Sequence, residues 1–150
     1  MSPLGVFANR VLIAGLLAWL IAQSLKVPLE YRHTHKINWS VLFSAGGMPS
    51  SHSALMVATT LAIGLFYGFD SPLFALAIAI TMVVTYDASN IRRQAGIHAQ
   101  KINFIIEELF AGRPISDETL KEVLGHTPKE VAAGVVLGCV VALLVWVVAK

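Results

Sequence analysis

Charge is scarce in this sequence and cysteine nearly absent. Charged residues fill 13% of the 150 positions, about half the share usual in soluble domains. A disordered chain needs low hydrophobicity and high net charge; here 56% of residues are apolar and the net charge is +2. The one cysteine, Cys139, sits inside an apolar run, which excludes a disulfide-stapled secreted domain. So small a positive excess argues against a nucleic-acid partner. Neither a carboxylate-rich cluster nor Cys/His ligand spacing is evident, so no metal or other cofactor is expected. Internal repeats and low-complexity tracts are missing too. What remains is a single membrane-embedded domain over residues 1–150.

Four stretches approach the ~20 apolar residues that a transmembrane helix requires: residues 4–25, 53–69, 73–89 and 131–149. The first is too long for the apolar core of a cleaved signal peptide, and Gln23-Ser24-Leu25-Lys26 offers no small-residue cleavage site. The expected fold is therefore an all-α integral membrane protein, a bundle of about four transmembrane helices. In the last span Gly134 and Gly138 form a G-x-x-x-G pair, which lets helix backbones approach closely. Packing within the chain is the favoured reading over a dimer seam, and a homo-oligomer stays open.

The stretches between spans are informative. Trp39 to Ala45 is too short to cross and reads as a short interfacial helix, broken by Gly46-Gly47 and Pro49. Irregular backbone at membrane depth is tolerated only where it is buried in protein or lines a wet cavity, so residues 46–51 form a candidate site on these grounds alone. Gly68-Phe69-Asp70-Ser71-Pro72 reads as a tight hairpin. Beyond residue 90, Ile102, Ile105, Ile106, Leu109 and Phe110 share one helical face, the pattern of an amphipathic helix lying on the bilayer or the bundle. Gly112 and Pro114 should end it, and a second short helix is expected between the cap Ser116 and Gly125.

Four spans put both termini on one side. That side carries Arg10 and Lys150, while the other carries nine lysines and arginines and all five histidines. Cytoplasmic loops are enriched in Lys and Arg, so the histidine-bearing side is expected to face the cytoplasm of a multi-pass inner (plasma) membrane protein.

The residues that can do chemistry lie at the ends of the spans on that side. Met48-Pro49-Ser50-Ser51-His52-Ser53 opens the second span, with Ser50 or Ser51 as cap; unpaired N–H groups at such an end favour anions. Tyr86-Asp87-Ala88-Ser89-Asn90-Ile91-Arg92-Arg93 closes the third. The arginines alone would read as a topology or headgroup signal, with Asp87 paired to one of them. In Gly125-His126-Thr127-Pro128-Lys129-Glu130, Thr127 and Glu130 match a capping box, and Glu130, four residues beyond His126, could also hold its imidazole in one tautomer. Lys26 ends the first span and by itself reads as a lysine snorkelling to the interface. A bundle brings these ends together. Two histidines, several cations and a helix N-terminus at a membrane surface suggest phosphoryl transfer from a lipid, one histidine as nucleophile and the other as acid.

Pro49-Ser50-Ser51-His52 resembles the P-S-G-H motif of the type 2 phosphatidic acid phosphatase superfamily, which includes the vanadium haloperoxidases. The stretches 48–54, 86–96 and 124–131 are similar to three motifs, in order, of its small divergent bacterial and plastid branch. The resemblance covers essentially the whole chain. It implies a phosphohistidine mechanism without a metal: His126 as nucleophile, His52 as acid for the leaving alcohol, Glu130 orienting His126, and Lys26, Ser50, Ser51, Asp87, Arg92 and Arg93 around the substrate. The superfamily arginine six residues before the nucleophile is Leu120 here, leaving Arg92 or Arg93 to take its place. Ser51 replaces the motif glycine, and Arg32-His33 stands where an R-P pair is usual. The expected activity is hydrolysis of a phospholipid phosphomonoester, phosphatidylglycerophosphate or phosphatidate. The alternatives are a polyprenyl pyrophosphate phosphatase and a non-catalytic protein that binds or moves a phosphorylated lipid.

Overall fold

The computed structural model describes residues 3–43, 46–109 and 125–150. They form an all-helical membrane protein: a 3₁₀ turn at Pro3–Ala8, α1 (Arg10–Thr34), a 3₁₀ turn at Trp39–Phe43, α2 (Ser51–Tyr67), α3 (Pro72–Ser89), α4 (Ile91–Leu109) and α5 (Pro128–Val148). Three segments are long and apolar enough to cross a membrane: Arg10–Arg32, Pro72–Ile106 and Pro128–Val148. The shorter α2, 17 residues or about 26 Å, packs between α1, α3 and α5. The expected four-helix bundle is present, with its shortest member at the centre.

Caps set the helix starts. Asn9 Oδ1 accepts from Val11 N and Leu12 N at 3.1 Å. Ser50 Oγ accepts from Ser53 N at 3.3 Å, which makes Ser50 rather than Ser51 the cap of α2. Ser71 caps α3 ahead of Pro72, whose missing N–H costs nothing at the first helical position. Its Oγ also donates to Gly68 O at 2.8 Å, closing the hairpin, and Gly68 supplies the positive φ of 97° that the reversal needs.

Small residues set the packing. Ala14, Ala18 and Ala22 on α1, Ala54, Ala58 and Ala62 on α2, and Gly134, Gly138 and Ala142 on α5 are all buried. Each set steps by four residues and so forms a stripe along one helix face. Where side chains are this small, backbones meet closely, the mode of association that works in lipid. A Cβ on Gly134 would collide with the carbonyl of Ser50, and one on Gly138 would lie 2.7 Å from that of Ala54. The G-x-x-x-G pair is thus a seam within the chain. These contacts advance together along both helices, so α2 and α5 run parallel. Against α3, α2 is stitched by hydroxyls: Thr60 Oγ1 lies 2.7 Å from Thr81 Oγ1 and 3.3 Å from Ala77 O.

Three expected boundaries shift. The first helix starts later than residue 4 and runs past residue 25 to Thr34, through Pro28, ending where His35 turns left-handed at φ 52°. The interfacial segment is a 3₁₀ turn over Trp39–Phe43, with Trp39 67% exposed and Gln23 Nε2 donating to Leu42 O. A single residue, Asn90, separates α3 from the amphipathic α4. Among the described residues α4 packs only on α3, leaving Ile102, Ile105 and Ile106 uncovered. Phe110, Gly112, Pro114 and the helix expected after Ser116 lie outside the described residues, as does the Leu109 side chain.

Candidate functional site

The buried stripes lead straight to the polar residues. One more step of four beyond Ala22 is Lys26; one step before Ala54 is Ser50; steps before Gly134 are Glu130 and then His126. The polar cluster is therefore the end of the bundle's central seam. Lys26 is 1% exposed, His126 2%, and Ser50, Ser51 and Ser53 are buried. Lys26 does not snorkel. It lines a cavity of about 240 Å³ in which the charged groups of Glu30 and Glu130 join the apolar Leu29, Val41 and Met48, and its charge interacts with that of Glu130.

Backbone hydrogen bonds fasten three helix ends around this cluster. Ser50 N donates to Glu130 O at 3.0 Å, joining the starts of α2 and α5. His126 N donates to Ala88 O at 3.0 Å, tying the approach to α5 to the last turn of α3. Two parallel helices thus open side by side, and their dipoles add positive potential at one place.

Glu130 has two tasks. Its Oε2 accepts from Thr127 N at 3.2 Å, while Glu130 N donates to Thr127 Oγ1 at 3.4 Å, completing the capping box. The same Oε2 lies 2.9 Å from His126 Nδ1. An ionised carboxylate can only accept, so Nδ1 carries the proton and, in the neutral ring, Nε2 carries the lone pair. Nε2 is buried, with no hydrogen-bond partner among the described residues. An imidazole held by a carboxylate with its second nitrogen unused is equipped for nucleophilic or acid–base work.

The remaining expected residues lie on the adjoining helix ends. His52 is half-buried in the first turn of α2, and Asp87 is half-buried in the last turn of α3, next to the Ala88 carbonyl that holds His126. Arg92 and Arg93 stand in the first turn of α4. Their side chains lie outside the described residues, and so does any pairing of theirs with Asp87. Ser50 and Ser53 share a 3.0 Å hydroxyl contact, so the Ser50 side chain serves the helix cap. Glu30 in the cavity wall and the Ala88 carbonyl are absent from the sequence expectations, whereas Gly47 falls in the expected 46–51 stretch. Glu30, four residues after Lys26, was the one with a detectable signal. Among the described residues no three His, Cys, Asp or Glu side chains group so as to hold a metal ion.

The chain is 35% identical over 150 aligned positions to the "Uncharacterized membrane protein YuiD" of Bacillus subtilis, an alignment covering 93% of this chain and 95% of that protein. No solved structure matches it. The family model described as "Divergent PAP2 family" matches residues 7–141, a stretch that takes in every residue of the cluster. With nearly its full length matched, the chain belongs to the divergent PAP2 family.

Proposed function

We propose that this protein is a lipid phosphate phosphatase that works through a phosphohistidine. The observation that carries the reading is the 2.9 Å contact from Glu130 Oε2 to His126 Nδ1, with Nε2 left unpartnered. In the proposed cycle the Nε2 lone pair attacks phosphorus. The P–O ester bond breaks, and the leaving alkoxide takes a proton from His52. Water then attacks the phosphohistidine, His52 recovers a proton from it, the P–N bond breaks and inorganic phosphate leaves. Glu130 orients the ring and stabilises the positive charge that develops on it. The paired N-termini of α2 and α5 favour the phosphate's negative charge, with Lys26 and either Arg92 or Arg93 as further cations. No step requires a metal.

The substrate follows from sidedness. Excess Lys and Arg on the site's side favours the cytoplasmic face. There a lipid phosphatase meets intermediates of phospholipid synthesis, so phosphatidylglycerophosphate and phosphatidate rank above polyprenyl pyrophosphate. The burial of Nε2 favours a second reading, in which the pocket holds or passes on a phosphorylated lipid without hydrolysis. One assay decides between them: phosphate release by purified protein, divalent cations chelated, against those lipids. Turnover of a phosphomonoester supports the phosphatase; binding without turnover supports the second reading.

A further inference from the structure

Beside the polar cavity lies a groove of about 490 Å³, open along its length, whose lining is entirely apolar. Leu25 and Leu29 of α1 form one wall, and α5 forms the other, chiefly Ala132, Val136 and Val140. Leu29 and Met48 belong to both the groove and the polar cavity, so the two are continuous. Both walls are segments long and apolar enough to span the membrane. The opening therefore faces hydrocarbon, where an unfilled groove would forfeit packing contacts along both walls. Its volume is within the ~300–1,000 Å³ range of ligand pockets.

We infer that this groove holds an acyl chain of the lipid whose headgroup enters the polar cavity, and that the lipid arrives sideways from the bilayer between α1 and α5. Apolar groove and polar cavity joined at Leu29 and Met48 match an amphiphile, not a soluble phosphate ester. Access from water is less direct. Beyond Lys26, α1 continues eight residues to Thr34, about 12 Å of helix standing beside the cavity. The polar cavity holds one ammonium and two carboxylates, Lys26, Glu30 and Glu130. That composition suits a polar headgroup, with Lys26 toward the phosphate at the helix N-termini and the carboxylates toward any hydroxyls. The inference rests on the phosphatase reading for the identity of the headgroup; the groove itself is testable without it.

The test uses the full chain in phosphatidylcholine vesicles doped with a phosphatidate carrying a diazirine on one acyl chain. After irradiation, adducts should concentrate on peptides containing residues 25–29 and 132–140. Ala132→Phe with Val136→Trp fills the groove, and adducts there should fall about tenfold, the loss expected when two methylenes' worth of burial is denied. Turnover of a water-soluble aryl phosphate by the same variant should stay near wild type. Adducts spread evenly over lipid-facing residues such as Ile80 and Val83, undiminished in the variant, would overturn the inference. So would chain-to-chain crosslinks through Val136, which would give the groove to a second copy. Groove adducts without hydrolysis of any substrate would keep the acyl site and sink the phosphatase. Turnover without groove adducts would do the reverse.

Discussion

Glu130 Oε2 is shared between His126 Nδ1, at 2.9 Å, and the backbone N–H of Thr127, at 3.2 Å. One oxygen thus fixes both the start of α5 and the tautomer of the imidazole just before it. Glu130→Gln separates the two. The amide can still accept from Thr127 N, so thermal unfolding in detergent should shift by no more than about 1 kcal/mol. Phosphate release should fall at least ~10²-fold, because the charge that supports the developing imidazolium is gone.

His52 is expected to give the leaving alcohol its proton. In His52→Ala, phosphate release from a phospholipid monoester should fall at least ~10²-fold. A substrate with a nitrophenolate leaving group needs little protonation and should lose much less. Equal losses on both substrates would remove His52 from that role.

Lys26 is a buried cation beside Glu130. Lys26→Met keeps the apolar stem and removes the charge. Removing one partner of a buried charge pair can cost about 3–5 kcal/mol, so the midpoint of thermal unfolding is measured first and turnover is read on the folded variant. Its phosphate release at low substrate concentration should fall at least ~10-fold, the scale of one charge-assisted contact. Unchanged kinetics would take Lys26 out of the substrate site.

Gly138 sits against the Ala54 carbonyl. Gly138→Leu should push α5 away from α2 and destabilise the protein by about 1–3 kcal/mol, read as a lower midpoint of thermal unfolding. Gly5→Ala, where an added Cβ meets nothing within 4 Å, should leave the midpoint in place. If Gly138→Leu dissolved a dimer while the monomer's unfolding stayed unchanged, the glycine pair would be an intermolecular seam.

Much of this was legible beforehand, and the reasons are local. Thr127-Pro128-x-Glu130 marks a helix start because a short polar cap and a proline at the first position suit it, and residues 68–72 mark the hairpin. The contact between His126 and Glu130 is legible in their spacing, because four residues make about one helical turn. The end of α1 was misjudged because hydropathy marks where the bilayer ends, not where a helix ends. Glu30, Tyr31 and Arg32 continue the helix in polar surroundings until His35 turns it. A lysine at a span end taken alone usually snorkels, so its burial has to be read from the helix face it lies on. The four-residue stripe Ala14-Ala18-Ala22-Lys26 was in the sequence and points inward; hydropathy alone does not register which face an alanine is on.

Sidedness can be read in whole cells. Asp70→Cys and Lys36→Cys, both exposed and each made in a Cys139→Ala background, would meet a thiol reagent that cannot cross the membrane. Labelling at position 70 alone puts the site in the cytoplasm. Labelling at position 36 alone puts it outside and moves polyprenyl pyrophosphate to the head of the substrate ranking.

In the proposed cycle His126 Nε2 becomes covalently phosphorylated. Purified protein should be mixed with phosphatidylglycerophosphate carrying ³²P in its terminal phosphate and quenched in alkali within a turnover. Label is expected on the peptide containing residues 125–130, stable in base, released by acid, and absent from His126→Ala. Phosphate release at a near wild-type rate by His126→Ala, in a preparation free of background phosphatase, would contradict it.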